Sequence, residues 1–364
     1  MLIKLWGAEK VVECLMETFP EADLYTLIYD EKKVGKVFPK AKIKKVPKVT
    51  QNIYALLKNQ RFCLPLMPKA VESLDLSDYD VVIVSSSWFA HGLKTPESTK
   101  VITYYHSPAR YMWDWTNEYK KDIKWQSWIK GLVINRLFLK LRQWDFLASK
   151  RTDTYLSNSK NTAGRIQKYY RTDSEILYPP VETKRFAKDI PISENSEKYY
   201  IIISALTEFK KINIAISAFN KISDVKLKII GWGGYRETLE KMVDGKNIEF
   251  LGAQYGDDLV ALVQNSKGLI FPWEEDFWIV PIEVMAAGKP VFAYRWGWLL
   301  ETVIESKTWA FFDHEDGKDF VEKFRGFHAA NNAWKYSVNT CKEQAEKFSK
   351  EAFQKRIKLL VMKK

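Results

Sequence analysis

The chain has 364 residues, 46% hydrophobic and 28% charged, a balance that fits a soluble globular protein of two ordinary domains and excludes a disordered chain. No run of about 18 apolar residues occurs, so no membrane-spanning helix is expected, and Met1-Leu-Ile-Lys-Leu5 lacks the apolar core of a signal peptide. The net charge of +12 fits nucleic acid, an anionic lipid surface or phosphorylated small molecules as partners, or a solvated surface with none; without a zinc-finger or aromatic ribonucleoprotein motif, nucleic acid ranks last.

Cys14, Cys63 and Cys341 are odd in number, far apart and without metal-ligand spacing, so reduced thiols in a cytoplasmic protein are expected. An amphipathic helix begins at Ala8-Glu-Lys-Val-Val12, almost at once. The strand that should precede it is absent or reduced to Leu2–Leu5, or translation starts about ten residues upstream. Short β-branched runs follow at 80–85, 100–105 and 154–158, separated by helical patterns. Residues 120–151 carry Trp125, Trp128, Ile129, Leu132, Val133, Leu137, Leu141 and Trp144 among lysines and arginines. That segment reads either as a core-facing helix with a solvated back or as a surface that docks on anionic lipid.

Leu177-Tyr-Pro-Pro-Val181 and the polar stretch 189–198 read as a linker. The alternation then restarts, with strand signals at 199–204, 226–231, 248–251, 268–271 and 290–293. Two parallel α/β sheets are therefore expected, with ligands beyond the carboxyl ends of the strands and the site in a cleft between domains. The expected boundaries are 1–185, 186–345, and a C-terminal helix over 346–364 crossing back to the first domain.

Several motifs occur in one order: Trp6-Gly-Ala-Glu-Lys-Val-Val-Glu13, Tyr105-His-Ser-Pro-Ala-Arg-Tyr-Met-Trp-Asp114, Ser157-Asn-Ser-Lys-Asn161, Tyr178-Pro-Pro-Val181, Phe209-Lys-Lys211 and Phe271-Pro-Trp-Glu-Glu-Asp-Phe-Trp-Ile-Val-Pro-Ile-Glu283. Together they resemble the retaining GT-B glycosyltransferases of family 4, in particular the O-antigen mannosyltransferase branch. The resemblance implies two Rossmann-like doubly wound domains facing a cleft. It implies transfer of a hexose, mannose from GDP-mannose, onto a glycan or lipid-linked acceptor in cell-surface polysaccharide synthesis.

The implied roles can be set beside the chemistry. Lys210, just after a strand, would meet the leaving diphosphate as a point charge. The basic residue that the family carries five positions earlier is here Ala205, so either weaker diphosphate binding or compensation from Lys211 or Arg110 is expected. Glu283 would hold the ribose hydroxyls. Glu275 and the backbone N–H groups from Asp276 through Phe277 and Trp278 to Ile279 would hold the sugar and phosphate. His106, at a strand end, would position the donor sugar. Arg110 and Asp114 would lie on the acceptor side. Gly231 would let a nucleotide approach, and Trp6-Gly7 would face the diphosphate. Glu275 and Glu283 read as two hydroxyl anchors and not as a glycosidase pair. No metal or other cofactor is implied, since cations and helix dipoles can hold a diphosphate; the sugar nucleotide is a substrate. The implied location is the cytoplasmic face, with peripheral contact to anionic membrane.

Glycine and tryptophan counts are unusual. There are 16 glycines where average usage of ~7% gives about 25, and 14 tryptophans. Trp6, Trp273, Trp278, Trp296, Trp298 and Trp309 stand where the family pattern has small residues, several at turns that favour φ > 0. Two explanations stay open. The gene could use UGA for glycine and have been read with a table assigning tryptophan. Alternatively the chain is a paralogue whose donor site is closed, a non-catalytic binder of sugar nucleotides or glycans.

Overall fold

The computed structural model describes all residues except 5–6, 114–127, 189–197, 275–278, 298, 303, 305–306, 334 and 364, and no side chain at 61, 111 or 128–134. Two compact units emerge. One comprises Met1–Pro179 and Phe353–Lys364, the other Pro180–Ala352. The division falls within the proline pair. The boundary expected at 185/186 lies inside the helix Thr183–Ala187, which packs on the helices Gly256–Asn265 and Val280–Ala286 and so belongs with the second unit.

In the first unit, β1 (Leu24–Tyr25) and β2 (Ile43–Lys45) pair in parallel. Leu2 joins Tyr29 by a single parallel bridge, its N–H donating to Ile28 O and its carbonyl accepting from Asp30 N. That bridge is all that the described residues form of the short strand expected at the N-terminus. The main sheet runs β3 (Val81–Ser86), β4 (Lys100–Tyr105), β5 (Thr154–Ser157) and β6 (Glu175–Ile176), all parallel and in that spatial order. From Val101 to Tyr105 every side chain of β4 is buried, as expected for a strand covered on both faces.

The helix Trp128–Ser149 places Phe138 and Leu141 in the core with Val84 and Val101, and Leu137 and Trp144 pack against the same core. Of the apolar residues that suggested a lipid-docking face, those with described side chains thus serve the interior. The C-terminal helix Lys350–Met362 presents Phe353, Ile357 and Leu360, at helical spacing, to Val11, Ile102, Tyr104 and Leu156. Its fastening to the sheet also includes the Arg356–Glu175 ion pair and a 2.8 Å bond from Lys100 Nζ to Leu360 O.

The second unit contains β7 (Tyr199–Ile203), β8 (Lys226–Ile230), β9 (Ile248–Gly252), β10 (Gly268–Phe271), β11 (Val291–Tyr294) and β12 (Trp309–Phe312). All pair in parallel, in the spatial order β12-β11-β10-β7-β8-β9. Counted within the unit, that is the doubly wound order 3-2-1-4-5-6, whose direction of winding reverses between β7 and β10. Tyr200, Phe292, Phe312, Phe320 and Phe324 form a continuous aromatic cluster, with Phe292 and Phe320 5.0 Å apart edge to face. Trp309, expected in a turn, instead opens β12 opposite Val291. It is buried, and its Nε1–H donates to Met285 Sδ at 2.9 Å. Among the described residues no helix is long and apolar enough to cross a membrane.

Candidate functional site

The reversal of winding leaves a crevice outside the carboxyl ends of β7 and β10, the place where doubly wound sheets bind ligands. Lys210 and Trp273 follow those two strands. Lys210 ends the 3-10 turn Glu208–Lys210 and is only 3% exposed. A buried ammonium needs compensation for its lost hydration. Two aromatic rings contribute here, with Nζ 5.5 Å from the centre of Phe209 and 5.1 Å from that of Trp273. The Trp273 indole is fully buried and packs against Phe271 at 4.0 Å between ring centres. A diphosphate reaching Lys210 would therefore share the cation with this indole or displace it.

Neighbouring residues bear on the roles expected of Lys211 and Gly231. The Lys211 ammonium pairs with Glu315 and lies 5.8 Å from the centre of Tyr294, so a diphosphate would compete with Glu315 for it. Gly231, at φ +141°, is required by the packing of the chain itself. A Cβ there would lie 1.8 Å from Ser204 O, and one at Gly233 would lie 2.1 Å from Leu206 O. The glycines let the exit loops of β7 and β8 lie against each other, joined by Leu206 N–H to Trp232 O at 3.0 Å. Pro281 sits in the first turn of the helix Val280–Ala286, where its missing N–H costs nothing. Half-buried Glu283 lies in the same first turn, its N–H bonding to Ile279 O at 3.0 Å. Ile279 is the N-cap of that helix. Glu275, Asp276, Phe277 and Trp278 lie outside the described residues.

In the first unit the carboxyl ends of β3, β4 and β5 converge on His106. Its Nε2 is 2.8 Å from Ser85 Oγ. Its N–H donates to Ser86 O at 2.9 Å, and its carbonyl accepts from Asn158 Nδ2 at 3.0 Å and Thr162 Oγ1 at 3.3 Å. Ser159 caps the helix Lys160–Tyr170 by accepting from Thr162 N, which fixes Thr162 for that role. Burial, and secondarily the Met1 ammonium, lower the His106 pKa to about 4. His106 is thus a neutral imidazole at pH 7, suited to exchange a hydrogen bond with a sugar hydroxyl and not to act as a cation. Arg110 opens the short helix Arg110–Trp113 and is half-buried. Asp114 and Trp6 lie outside the described residues. Gly7 begins the exposed first turn of the helix Gly7–Thr18, with open space where a Cβ would stand.

Behind His106 lies a buried polar group that sequence reading missed. Ser86 Oγ is 3.1 Å from His91 Nδ1, and His91 Nε2 is 3.2 Å from Asp145 Oδ1. Asp145 Oδ2 accepts from Trp113 Nε1 at 2.8 Å and Tyr170 OH at 2.9 Å. Ser86, His91 and Asp145 are all buried, so the trio resembles a hydrolytic triad in composition but offers no access to a substrate. It braces the end of β3 against the helices Trp128–Ser149 and Lys160–Tyr170. The contacts span 54 residues between His91 and Asp145, and no local spacing signals them.

The tryptophan argument also changes. Among the described residues, the non-glycine positions with φ in the left-handed region are Lys58, Arg171 and Lys211. Trp273, Trp296 and Trp309 are not among them, so backbone strain is no argument against an indole there; Gly297, at φ +63°, is the residue of its turn that needs to be glycine. Trp298 lies outside the described residues. What survives at Trp273 is an argument from position, over Lys210.

Two parallel α/β units define the GT-B class. The crystal structure of Anabaena Alr3699/HepE in complex with UDP matches with a TM-score of 0.72 at 14% identity, covering 98% of this chain and 96% of that one. The profile of Glycosyltransferase Family 4 matches residues 7–185, and that of Glycosyl transferases group 1 matches residues 183–354. The chain belongs to the family 4 glycosyltransferases. The sulfoquinovosyl transferase SQD2 of Arabidopsis thaliana is 26% identical over 180 residues, 48% of this chain; the match spans only 35% of that relative's length. The α-1,3/1,6-mannosyltransferase ALG2 of Dictyostelium discoideum is 24% identical over 333 residues, 78% of this chain and 76% of the relative.

Proposed function

We propose that the chain transfers a hexosyl group from a sugar nucleotide to a glycan or lipid-linked acceptor, with retention at the anomeric carbon. Lys210 carries the proposal, as a buried cation at the reversal point of a doubly wound sheet. In this reading the bond from C1 to the diphosphate oxygen breaks and a bond from C1 to an acceptor oxygen forms on the same face. The electron pair leaves with the diphosphate, where Lys210 stabilises the developing charge, and the acceptor proton goes to a phosphate oxygen. Neutral His106 holds a donor-sugar hydroxyl, Glu283 the ribose, and Arg110 the acceptor side. No resident metal or cofactor is assigned a role.

Mannose is the favoured sugar, supported by the mannosyltransferase ALG2; GDP as its carrier rests on the resemblance alone, and HepE, crystallised with UDP, supports a nucleoside diphosphate of some base. Cell-surface polysaccharide synthesis on the cytoplasmic face of a membrane is the setting this donor and acceptor class suggests. The test is transfer and donor hydrolysis with radiolabelled GDP-mannose and UDP-glucose. Release of labelled sugar at a rate that Lys210→Ala abolishes supports the reading. Turnover indifferent to Lys210 overturns it.

One observation favours a second reading, a sugar-nucleotide binder without turnover: the Trp273 indole covers Lys210. The same assay on a chain with glycine at 6, 273, 278, 296, 298 and 309 separates the two. Activity in that chain alone supports the enzyme reading with UGA recoded as glycine, and UGG codons at most of these positions would refute recoding.

A further inference from the structure

One buried carboxylate holds two functional parts of the first unit at once. Asp145 stands in the helix Trp128–Ser149 and has no exposed surface. Its Oδ2 accepts from Trp113 Nε1 at 2.8 Å, and Trp113 ends the short helix that Arg110 opens. That helix is a single turn of four residues, too short to hold its shape in isolation. Met112 and Trp113 anchor it. The Trp113 indole stacks on Tyr169 with 4.9 Å between ring centres and 24° between planes. The Arg142 guanidinium lies 5.9 Å from the centre of the same indole, and Arg142 Nε donates to Met112 O at 2.6 Å. Arg142 and Asp145 are three residues apart, on one face of their helix. The place of Arg110 is therefore set from a helix distant in sequence.

The other oxygen of Asp145 faces His91. His91 Nε2 is 3.2 Å from Asp145 Oδ1, and His91 Nδ1 is 3.1 Å from Ser86 Oγ. The Ser86 carbonyl in turn accepts from the His106 N–H at 2.9 Å. A carboxylate only accepts, so His91 carries its proton on Nε2 and accepts from the Ser86 hydroxyl through Nδ1. Burying an ionised carboxylate is costly, and a well-packed apolar side chain of the same volume serves stability as well or better. What the carboxylate supplies is direction. Its two oxygens are matched to donors on two different elements, the Arg110 helix and the loop beyond β3. Asp145 is buried, so it acts on a substrate only through the residues it holds.

We propose that Asp145 is a positioning residue for both substrates, setting Arg110 for the acceptor through Trp113, and His106 for the donor sugar through His91 and Ser86. The proposal rests on the transfer reading for the roles of Arg110 and His106, whereas the linkage between them is a property of the fold. Arg142 and Tyr169 support the acceptor arm. A purely structural brace would make the same bonds, but its loss would lower stability without separate kinetic consequences for the two arms.

The first test needs no sugar. The chain has four histidines, so a long-range proton–nitrogen correlation spectrum resolves each imidazole, and His91→Gln assigns the signals of His91. In the wild type the His91 proton should sit on Nε2. Trp113 Nε1 can only donate, so Asp145→Asn must keep its oxygen towards Trp113 and turn its amide nitrogen to His91. The His91 proton should then move to Nδ1, and the His106 signals should shift with it. If that variant does not fold, Trp113→Phe removes one partner of Asp145, leaves the other buried polar groups in place, and should shift the His91 signals. The second test is kinetic, with GDP-mannose as donor and octyl α-mannoside as acceptor. Trp113→Phe should raise the acceptor KM about tenfold, the weight of a hydrogen bond to a charged group, and leave donor hydrolysis without acceptor unchanged. Asp145→Asn should lower donor hydrolysis and transfer about fivefold each, with the acceptor KM within about threefold of the wild type. His106 signals unmoved in Asp145→Asn, or a Trp113→Phe protein that loses stability but keeps its acceptor KM, would overturn the proposal. A wild type without turnover counts against the transfer reading instead, and the histidine signals then decide for or against the linkage alone.

Discussion

The two units solve the placement of a polar group at strand ends in opposite ways. In the first, His106 is fixed by hydrogen bonds to the Ser85 side chain and the Ser86 carbonyl at the end of β3, to Asn158 just after β5, and to Thr162 in the helix Lys160–Tyr170. In the second, buried Lys210 lies beside two aromatic rings, those of Phe209 and Trp273. The first arrangement holds its functional group in a single orientation and leaves it neutral. The second retains a charge but covers it with a removable hydrophobic group. A polar frame should thus tolerate little change without loss of positioning, whereas the aromatic cover should be costly to remove for stability and favourable to remove for anion binding.

The largest expected effect tests the cover. Trp273→Gly removes a fully buried indole, for which truncations cost about 3–5 kcal/mol of stability. Denaturant unfolding of the second unit should show a loss of that order. Calorimetry with GDP or UDP should at the same time show at least about tenfold tighter binding, because Lys210 gains access to the diphosphate. A stable variant with unchanged nucleotide affinity would show that the indole is neither core nor cover. Next is the cation itself. Lys210→Met keeps the stem and removes the charge, and should weaken nucleoside diphosphate binding by about 10- to 100-fold, the range of a charge-assisted bond. That loss should be larger in the Trp273→Gly background than alone, and additivity between the two would separate what the geometry joins.

The polar frame predicts a pH effect of intermediate size. The pKa of His106 falls from an unfolded value near 6.5 to about 4 in the folded protein. The unfolded chain therefore takes up the proton first as pH falls. The stability associated with the neutral ring is present above about pH 6.5 and is lost as pH drops towards 4, an effect on the order of 2 kcal/mol. Chemical unfolding of the wild type against His106→Asn, at a series of pH values across that window, should show a steeper decline in the wild type. Parallel curves would mean that the ring is not desolvated.

Sequence and structure part company at recognisable places. Strands such as Lys100–Tyr105 and Gly268–Phe271 were legible because β-branched and aromatic runs between polar breaks are what a buried parallel strand requires. The strand Trp309–Phe312 was not, because Trp309 was read through the glycine expected of a turn while the chain uses it as a core residue bonded to Met285. The placement of Lys210 after a strand could be read, but its enclosure could not, since Trp273 is 63 residues away and meets it only through the reversal of strand order.

The smallest expected effect is the most specific to the polar frame. Ser85 and Ser86 are consecutive on β3, so their side chains leave opposite faces of the strand. Ser85 reaches His106, while Ser86 reaches the buried His91 and Asp145. Losing the Ser85 hydroxyl removes one neutral hydrogen bond, about 1 kcal/mol, so Ser85→Ala should lower kcat/KM for glycosyl transfer about fivefold and leave the overall fold stability nearly intact. Ser85→Thr, which restores a hydroxyl, should recover most of the rate. Ser86→Ala should behave in the reverse sense, lowering stability through the buried group it leaves unpaired and affecting rate only as far as β3 shifts. If both alanine variants lowered stability alike and rate alike, the two faces of β3 would not have separate tasks, and His106 would be held by its backbone bonds alone.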